Sequence, residues 1–267
     1  MKIEPIKSDR RFSGVLRLYQ NPESLNLLRE AHVAVIGLGG VGSWTAEALA
    51  RSGIGKLTLV DLDHVSESNI NRQVHALDYS IGQSKVKAMS ERILQINPGC
   101  QVFSIEDFIS LDNISYLLSA NYQIIIDCTD QIFAKAAIIL YAKQRNISLI
   151  LCGGVGGKTN PFALKENDLS DVKNDPLLAK LRRLLRSKFG FPKNNNKKKI
   201  AIPKMGIRVL WIDQNPILPK ILENKTQESF SKISNLQGLS CSGYGSVVTV
   251  TATMGLAAAN SVLQKIL

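Results

Sequence analysis

A glycine-rich segment between a short apolar run and a helix-like stretch constrains the fold of this chain more than any other feature. The run HVAVIG (32–37) is apolar and β-branched, and SWTAEALARSG (43–53) has helical spacing and ends at a glycine. The glycines of the segment are Gly37, Gly39, Gly40 and Gly42. Such a turn lets the backbone approach phosphates, which the free N–H groups of a helix N-terminus then bind. The segment therefore predicts a nucleotide-binding domain.

The first half of the chain alternates between strand-like and helix-like segments. Strands are predicted at 32–37, 56–61, 100–107, 121–130 and 148–154, and helices at 43–53, 84–99 and 131–145. This alternation is typical of a mostly parallel sheet with helices on both faces, a Rossmann-like α/β fold. Ligands of such folds bind at the carboxyl ends of the strands.

The second half has a different charge balance and predicts a basic C-terminal extension. Residues 1–150 carry 15 basic and 15 acidic side chains, whereas residues 151–267 carry 18 and 7. Between Lys158 and Arg208 there are 14 basic and 4 acidic residues, which indicates either a polyanion-binding region or a solvated lysine-rich insertion. This stretch contains a predicted basic helix, 175–190, and a lysine-rich loop, 191–204.

The C-terminal segments are less regular. IRVLWI (207–212) predicts a strand, and 213–240 a long connection. The stretch from Ser246 to Gln264 has no charged residue, but its hydroxyl and amide side chains favour a packed helix, in the core or at a dimer interface, over a membrane span.

The cysteines and the N-terminus indicate an intracellular protein. The four cysteines are Cys100, Cys128, Cys152 and Cys241, and they form no Cys-x-x-Cys pair. Their spacing argues against a structural zinc site and a disulfide framework. The first residues, MKIEPIKSDRRF, lack the apolar core of a secretory signal. We therefore expect a reducing compartment.

Polar residues after the second predicted strand distinguish between possible nucleotides. Asp61 ends that strand, where an acid binds ribose hydroxyls, and a dehydrogenase would share this feature. A dehydrogenase has no need of the Asn69 and Arg72 that follow, whereas an enzyme that binds a triphosphate needs such residues for its phosphates. Lys85 adds a positive charge at the start of the next helix. Taken singly, Arg72 could be a surface ion pair and Lys85 a solvated helix residue.

A pair of acids follows the fourth predicted strand. Asp127 and Asp130 lie in DCTD, at the sheet edge that carries the glycine segment. An acid here is well placed to bind Mg²⁺, although Asp130 could instead cap the helix that follows.

These motifs together resemble the ubiquitin-activating-enzyme-like adenylyltransferases, which include the molybdopterin and thiamine sulfur-carrier activating enzymes. The resemblance, over about residues 10–157, rests on GLGGVGSW, DLDHVSESNINRQ, the lysine of GQSKVKA, and DCTD. One branch, the tRNA threonylcarbamoyladenosine dehydratases, is similar over nearly the whole chain, through RFSGVLRLYQ, NRQVHAL, DPLLAKLRRLLRSKFG and CSGYG. Sulfur-carrier activators usually have paired zinc-binding cysteines, which this chain lacks.

The resemblance implies ATP and Mg²⁺ as cofactors and a role for each residue of the motifs. The glycines would bind ATP, Asp61 its ribose, Asn69 and Arg72 its phosphates, Lys85 the α-phosphate, and Asp130 the Mg²⁺. The residues implied to bind nucleotide are Gly37, Gly39, Gly40, Gly42, Asp61, Asp63, Asn69, Arg72, Gln73, Lys85 and Asp130. Those implied to be catalytic are Arg72, Lys85 and Asp130.

The resemblance also implies a substrate, partners and a division of the chain. The reaction would be ATP-dependent cyclisation of threonylcarbamoyladenosine in tRNA; the alternative is adenylation of the C-terminus of a ubiquitin-like sulfur carrier. A homodimer is expected, with Arg11 or Arg17 reaching the partner's site, and some relatives act with a cysteine desulfurase and its sulfur acceptor. Cys241 is either a nucleophile or sulfur acceptor or an incidental thiol.

The expected regions are an adenylation core (1–157), a basic tRNA-facing insertion (158–240) and a helix that completes the core or a dimer interface (241–267). The expected location is the cytoplasm, with membrane association through the C-terminal helix left open. A nucleotide-binding protein without turnover and an NAD-linked dehydrogenase are competing hypotheses, the second disfavoured by the residues after the second strand.

Overall fold

A computed structural model of the protein contains one seven-stranded sheet, and it describes residues 8–193, 203–218 and 244–267. The strands are β1 (His32–Ile36), β2 (Lys56–Val60), β3 (Gln101–Ile105), β4 (Ile124–Asp127), β5 (Ser148–Cys152), β6 (Leu164–Asp168) and β7 (Arg208–Ile212). Their order across the sheet is β3-β2-β1-β4-β5-β7-β6, and only β6 is antiparallel to its neighbour. The predicted mostly parallel sheet is confirmed.

Helices cover both faces of this sheet, as predicted. They are α1 (Ser8–Tyr19), α2 (Ser24–Glu30), α3 (Gly42–Arg51), α4 (Lys85–Ile96), α5 (Ile114–Leu117), α6 (Ile132–Arg145), α7 (Pro176–Lys188) and α8 (Val248–Ile266). Because strand side chains alternate between faces, Val33 and Val35 pack with α3, α4 and α8, whereas Ala34 and Ile36 pack with α5 and α6.

The region from 158 to 240 contributes to the same sheet. The predicted strand at 207–212 is β7, which pairs with β5, and the predicted helix at 175–190 is α7, which packs on α6. The antiparallel strand β6 and the N-terminal helices α1 and α2 had no counterpart in the sequence prediction. Most of the predicted loop 191–204 and of the predicted connection 213–240 lies outside the described residues.

The uncharged C-terminal segment forms α8, which packs in the core against α3. Val250, Met254, Ala258 and Val262 are buried there. A Cβ atom at Gly255 would lie 2.5 Å from the carbonyl oxygen of Val41, so a residue without a side chain lets the two helices meet. No helix within the described ranges is long and apolar enough to cross a membrane.

Candidate nucleotide site

The glycine segment forms a tight turn from β1 into α3. Gly37 has φ +86°, a left-handed conformation that suits glycine, and it packs against the backbone of Cys128 and Thr129 after β4. A Cβ atom at Gly42 would overlap the carbonyl oxygen of Gly37, whereas one at Gly39 would meet no atom within 4 Å. The turn is thus closely packed at Gly37 and Gly42 and open at Gly39, where the N-terminus of α3 is available to an anion.

A cavity of about 340 Å³ lies over this turn, at the carboxyl ends of the parallel strands. The predicted residues that line it are Gly37, Gly39, Gly40, Asp61, Asp63, Asn69, Arg72, Gln73, Lys85 and Asp130. Gly42 lies below it, where it permits the turn. The structure therefore brings ten of the eleven residues implied to bind nucleotide to one surface.

Asp61 and Lys85 form the charged centre of the cavity. The Asp61 carboxylate accepts hydrogen bonds from the backbone N–H groups of Leu38 (2.5 Å) and Asp63 (2.9 Å). The Nζ of Lys85 lies 2.7 Å from Oδ2 of Asp63 and 3.9 Å from Oδ1 of Asp61. Burial raises the pKa of Asp61, and the Lys85 charge and the two N–H groups oppose that rise. Lys85 is 5% exposed, so it is not a solvated helix residue.

Arg72 reaches the cavity beside the glycine turn. Its Nη1 donates to the carbonyl oxygen of Ser68 (2.8 Å) and to Oδ1 of Asn71 (2.9 Å), and its own carbonyl accepts from Nε1 of Trp44 on α3 (3.0 Å). These bonds leave other N–H groups of the guanidinium available. Among the described residues, no carboxylate pairs with Arg72. Beside it, the Oε1 atom of the buried Gln73 has no hydrogen-bond partner among those residues.

The two acids of DCTD have different environments. Asp127 is fully buried, accepts hydrogen bonds from the backbone and hydroxyl of Thr129, and forms an ion pair with Lys135 (3.2 Å). Lys135 also donates to the carbonyl oxygen of Cys152 (2.8 Å), which joins the ends of β4 and β5. Asp130 is exposed at the cavity, and it does not cap α6, because the N-cap position is occupied by Gln131.

A second buried ion pair, which no sequence motif indicated, supports the far end of the cavity. Gly153 and Gly154 line that end, and Asp175 accepts a hydrogen bond from the Gly154 N–H (2.9 Å) while capping α7 at Leu178 (3.0 Å). Lys158 lies 3.4 Å from Asp175 and donates to the carbonyl oxygen of Ile212 (2.8 Å). Burial lowers the pKa of Lys158, and Asp175 opposes that change. Lys158 is 2% exposed, so it does not belong to a basic surface.

The remaining candidates lie apart from this cavity. Nη1 of Arg11 donates to the carbonyl oxygens of Gln95 (3.2 Å) and Ile96 (2.9 Å) at the end of α4, and Arg17 is exposed on α1. Cys241 lies outside the described residues. Across the described ranges, no cluster of three or more His, Cys, Asp or Glu side chains could hold a metal ion.

Known proteins are similar to this chain over nearly its whole length. The ThiF family model matches residues 15–267. The chain is 42% identical to a tRNA threonylcarbamoyladenosine dehydratase of Haemophilus influenzae over 97% of its own length and 94% of the relative. It is 40% identical to that of Escherichia coli, over 96% and 93%.

Solved structures show the same similarity. The E. coli tRNA N6-threonylcarbamoyladenosine dehydratase, TcdA, in complex with ATP superposes with a TM-score of 0.83 at 38% identity, over 99% of this chain and 97% of that one. The fold, the strand-to-helix glycine turn and this coverage lead to one conclusion: the chain belongs to the ThiF family.

Proposed function

We propose that the protein is an ATP-dependent tRNA threonylcarbamoyladenosine dehydratase, which closes the threonylcarbamoyl group of the modified adenosine into a ring with loss of water. The observation that carries this proposal is the convergence of the glycine turn, Asp61, Arg72 and Lys85 on one cavity. The chain also matches relatives named for this activity over nearly their full length.

The cavity is suited to activating a carboxylate, which by itself is a poor electrophile. An oxygen of the threonyl carboxylate attacks the α-phosphorus of ATP, and pyrophosphate leaves. Negative charge accumulates on the phosphoryl oxygens during this attack, and Lys85 and Arg72 are the cations at the cavity that would stabilise it.

Ring closure then needs no further cofactor. A nitrogen of the carbamoyl group attacks the activated acyl carbon, loses its proton, and AMP leaves with one oxygen of the original carboxylate. Because nucleophile and electrophile belong to the same molecule, their effective concentration is high. A cysteine nucleophile is not required, and a role for Cys241 is therefore not part of the proposal.

The donor set fits Mg²⁺, with Asp130 as its protein ligand. Asp130 offers an exposed carboxylate at the cavity, and Mg²⁺ commonly binds one or two carboxylates together with substrate phosphates. When bound, the ion would neutralise charge on the phosphate oxygens.

The tRNA would approach from the side of α7, within the basic region 158–240. Ion pairs neutralise part of that region: Lys165 pairs with Asp213 and Lys204 with Asp171. Lys180 and Arg183 on α7 are exposed, and the described residues form no ion pair with them. We retain the division into a core (1–157), a tRNA-facing region (158–240) and a C-terminal helix (241–267), although β6 and β7 extend the core sheet.

A homodimer in the cytoplasm is part of the same proposal. Apolar side chains of the segment 62–81 are exposed, including Leu62, Ile70, Tyr79 and Ile81, and a second copy would cover them. In such a dimer Arg11 or Arg17 could reach the partner's cavity. A cysteine desulfurase and its sulfur acceptor remain proposed partners.

Mass spectrometry of tRNA nucleosides tests the proposed function. After incubation of the protein with ATP, Mg²⁺ and tRNA that carries threonylcarbamoyladenosine, we expect the modified nucleoside to lose the mass of one water, with one AMP formed per nucleoside. A reaction without ATP is the control. An unchanged nucleoside, in a preparation that adenylates a sulfur-carrier protein, would contradict the proposal and favour the alternative substrate.

A further inference from the structure

Phe133 is a large apolar side chain that the fold leaves in solvent at the start of α6, beside the nucleotide cavity. It lies in the first turn of α6, directly after β4, and is 77% exposed. Its neighbours Gln131 and Ala134 line the cavity. Because helix side chains lean toward the helix N-terminus, Phe133 leans toward the edge of the sheet where the cavity opens. Neither core packing nor nucleotide binding accounts for this position.

Positive charge lies on the adjacent helix. The helices α6 and α7 pack together through Ala136, Ile139, Leu178 and Leu181, and Leu177 at the start of α7 lines the same cavity. Lys180 and Arg183 follow on the exposed side of α7, Arg183 about 9 Å along the axis from Leu177. The starts of α6 and α7 both reach the cavity. An exposed aromatic side chain thus lies at the start of α6, and one to two turns into α7 lie two cations that form no ion pair with the described residues.

We infer that Phe133 stacks on an unpaired RNA base next to the nucleotide being modified, while Lys180 and Arg183 bind the backbone of the same loop. This inference rests on the proposed function and names the part of the substrate that these three side chains recognise. Proteins recognise single-stranded RNA loops by stacking splayed bases on aromatic side chains, and cations beside them bind phosphates. A partner without charge would leave Lys180 and Arg183 unused.

The binding of an anticodon stem-loop RNA to three variants tests the inference. Phe133→Leu keeps an apolar side chain but removes the aromatic face, so its Kd for the RNA should rise about tenfold. Phe133→Tyr keeps the face and should bind within about twofold of wild type. Tyr116→Leu is the matched control, because Tyr116 is 83% exposed on α5 and neither Ser115 nor Leu117 beside it lines the cavity. The Kd for ATP should be the same in all three.

A series of altered RNAs identifies the base on which Phe133 stacks. In a series of stem-loops, each with one abasic loop position, we expect one RNA that binds wild type about tenfold more weakly than the intact loop. With that RNA, Phe133→Leu should lose no further affinity, since two changes that remove one contact do not add. Additive losses at every position would overturn the inference. So would equal RNA affinity in Phe133→Leu and Tyr116→Leu, or wild-type protein that binds no RNA. Binding that depends on Phe133 without dehydration would count against the proposed function only.

Discussion

Replacing Lys85 with methionine is expected to lower kcat for dehydration by about 10²–10³, the loss typical when one preorganised donor to a developing negative charge is removed. Methionine retains an unbranched apolar stem in the buried site, where Lys85 is 5% exposed. The rate of a single turnover with saturating ATP and tRNA is the measurement.

The structure gives two reasons for the size of this effect. Lys85 lies 2.7 Å from Asp63 and 3.9 Å from Asp61, so its loss leaves those carboxylates next to a triphosphate with no cation in contact with them among the described residues. It also opposes the rise in the pKa of Asp61 that burial causes, so the variant should raise that pKa further and weaken ribose binding by the carboxylate.

Lys87→Met is the matched control, because it makes the same change of charge and of helix propensity in the same helix. Lys87 lies two residues later on α4 and is exposed, so its variant should turn over at the wild-type rate. If Lys85→Met also retained the wild-type rate, the phosphates would have to bind elsewhere in the cavity.

Gly42→Ala is expected to lose ATP affinity by more than about tenfold and to lower Tm by about 6–12 °C, as for overpacking that costs about 3 kcal/mol in a chain of this size. The added Cβ would overlap the carbonyl oxygen of Gly37 and lie 3.2 Å from Cβ of Cys128. Both the turn and the residue that follows β4 would have to move. Gly37 packs against the backbone of Cys128 and Thr129, which limits how far its carbonyl can shift. Calorimetric ATP binding and thermal unfolding measure the two effects.

Gly14→Ala tests whether any glycine replacement has this result. Gly14 lies inside α1, and a Cβ there meets no atom within 4 Å. Because alanine favours helix over glycine by up to about 1 kcal/mol, this variant should be as stable as wild type or more stable. Normal ATP binding by Gly42→Ala would contradict the packing of the turn described above.

The parallel core was predictable because its strands and helices carry strong periodic patterns. Strand β1 and helix α7 begin and end within two residues of the prediction, and helix α4 within three, close to the usual uncertainty in element ends. Strand β6 was missed because its sequence, LKEND, is polar: it is an antiparallel edge strand, whose charged side chains need no buried face.

The candidate site was predictable in its residues but not in its supporting contacts. Motifs indicated Asp61, Lys85 and Asp130, because local spacing brings them to strand and helix ends. They did not indicate that Lys158 turns inward to Asp175, since that pair depends on the meeting of β5, β7 and α7. The number of basic residues between Lys158 and Arg208 therefore overestimates the basic surface of that region, since Lys158 is buried.

The fate of a carboxylate oxygen tests the central claim most directly. The protein would be given tRNA whose threonyl carboxylate carries a heavy oxygen isotope, together with unlabelled ATP and Mg²⁺, and the AMP would be examined by mass spectrometry. Adenylation of the carboxylate predicts that the labelled oxygen leaves with AMP, at most one per molecule, while pyrophosphate stays unlabelled. Cyclised nucleoside formed together with unlabelled AMP, or with ADP and phosphate, would contradict the account.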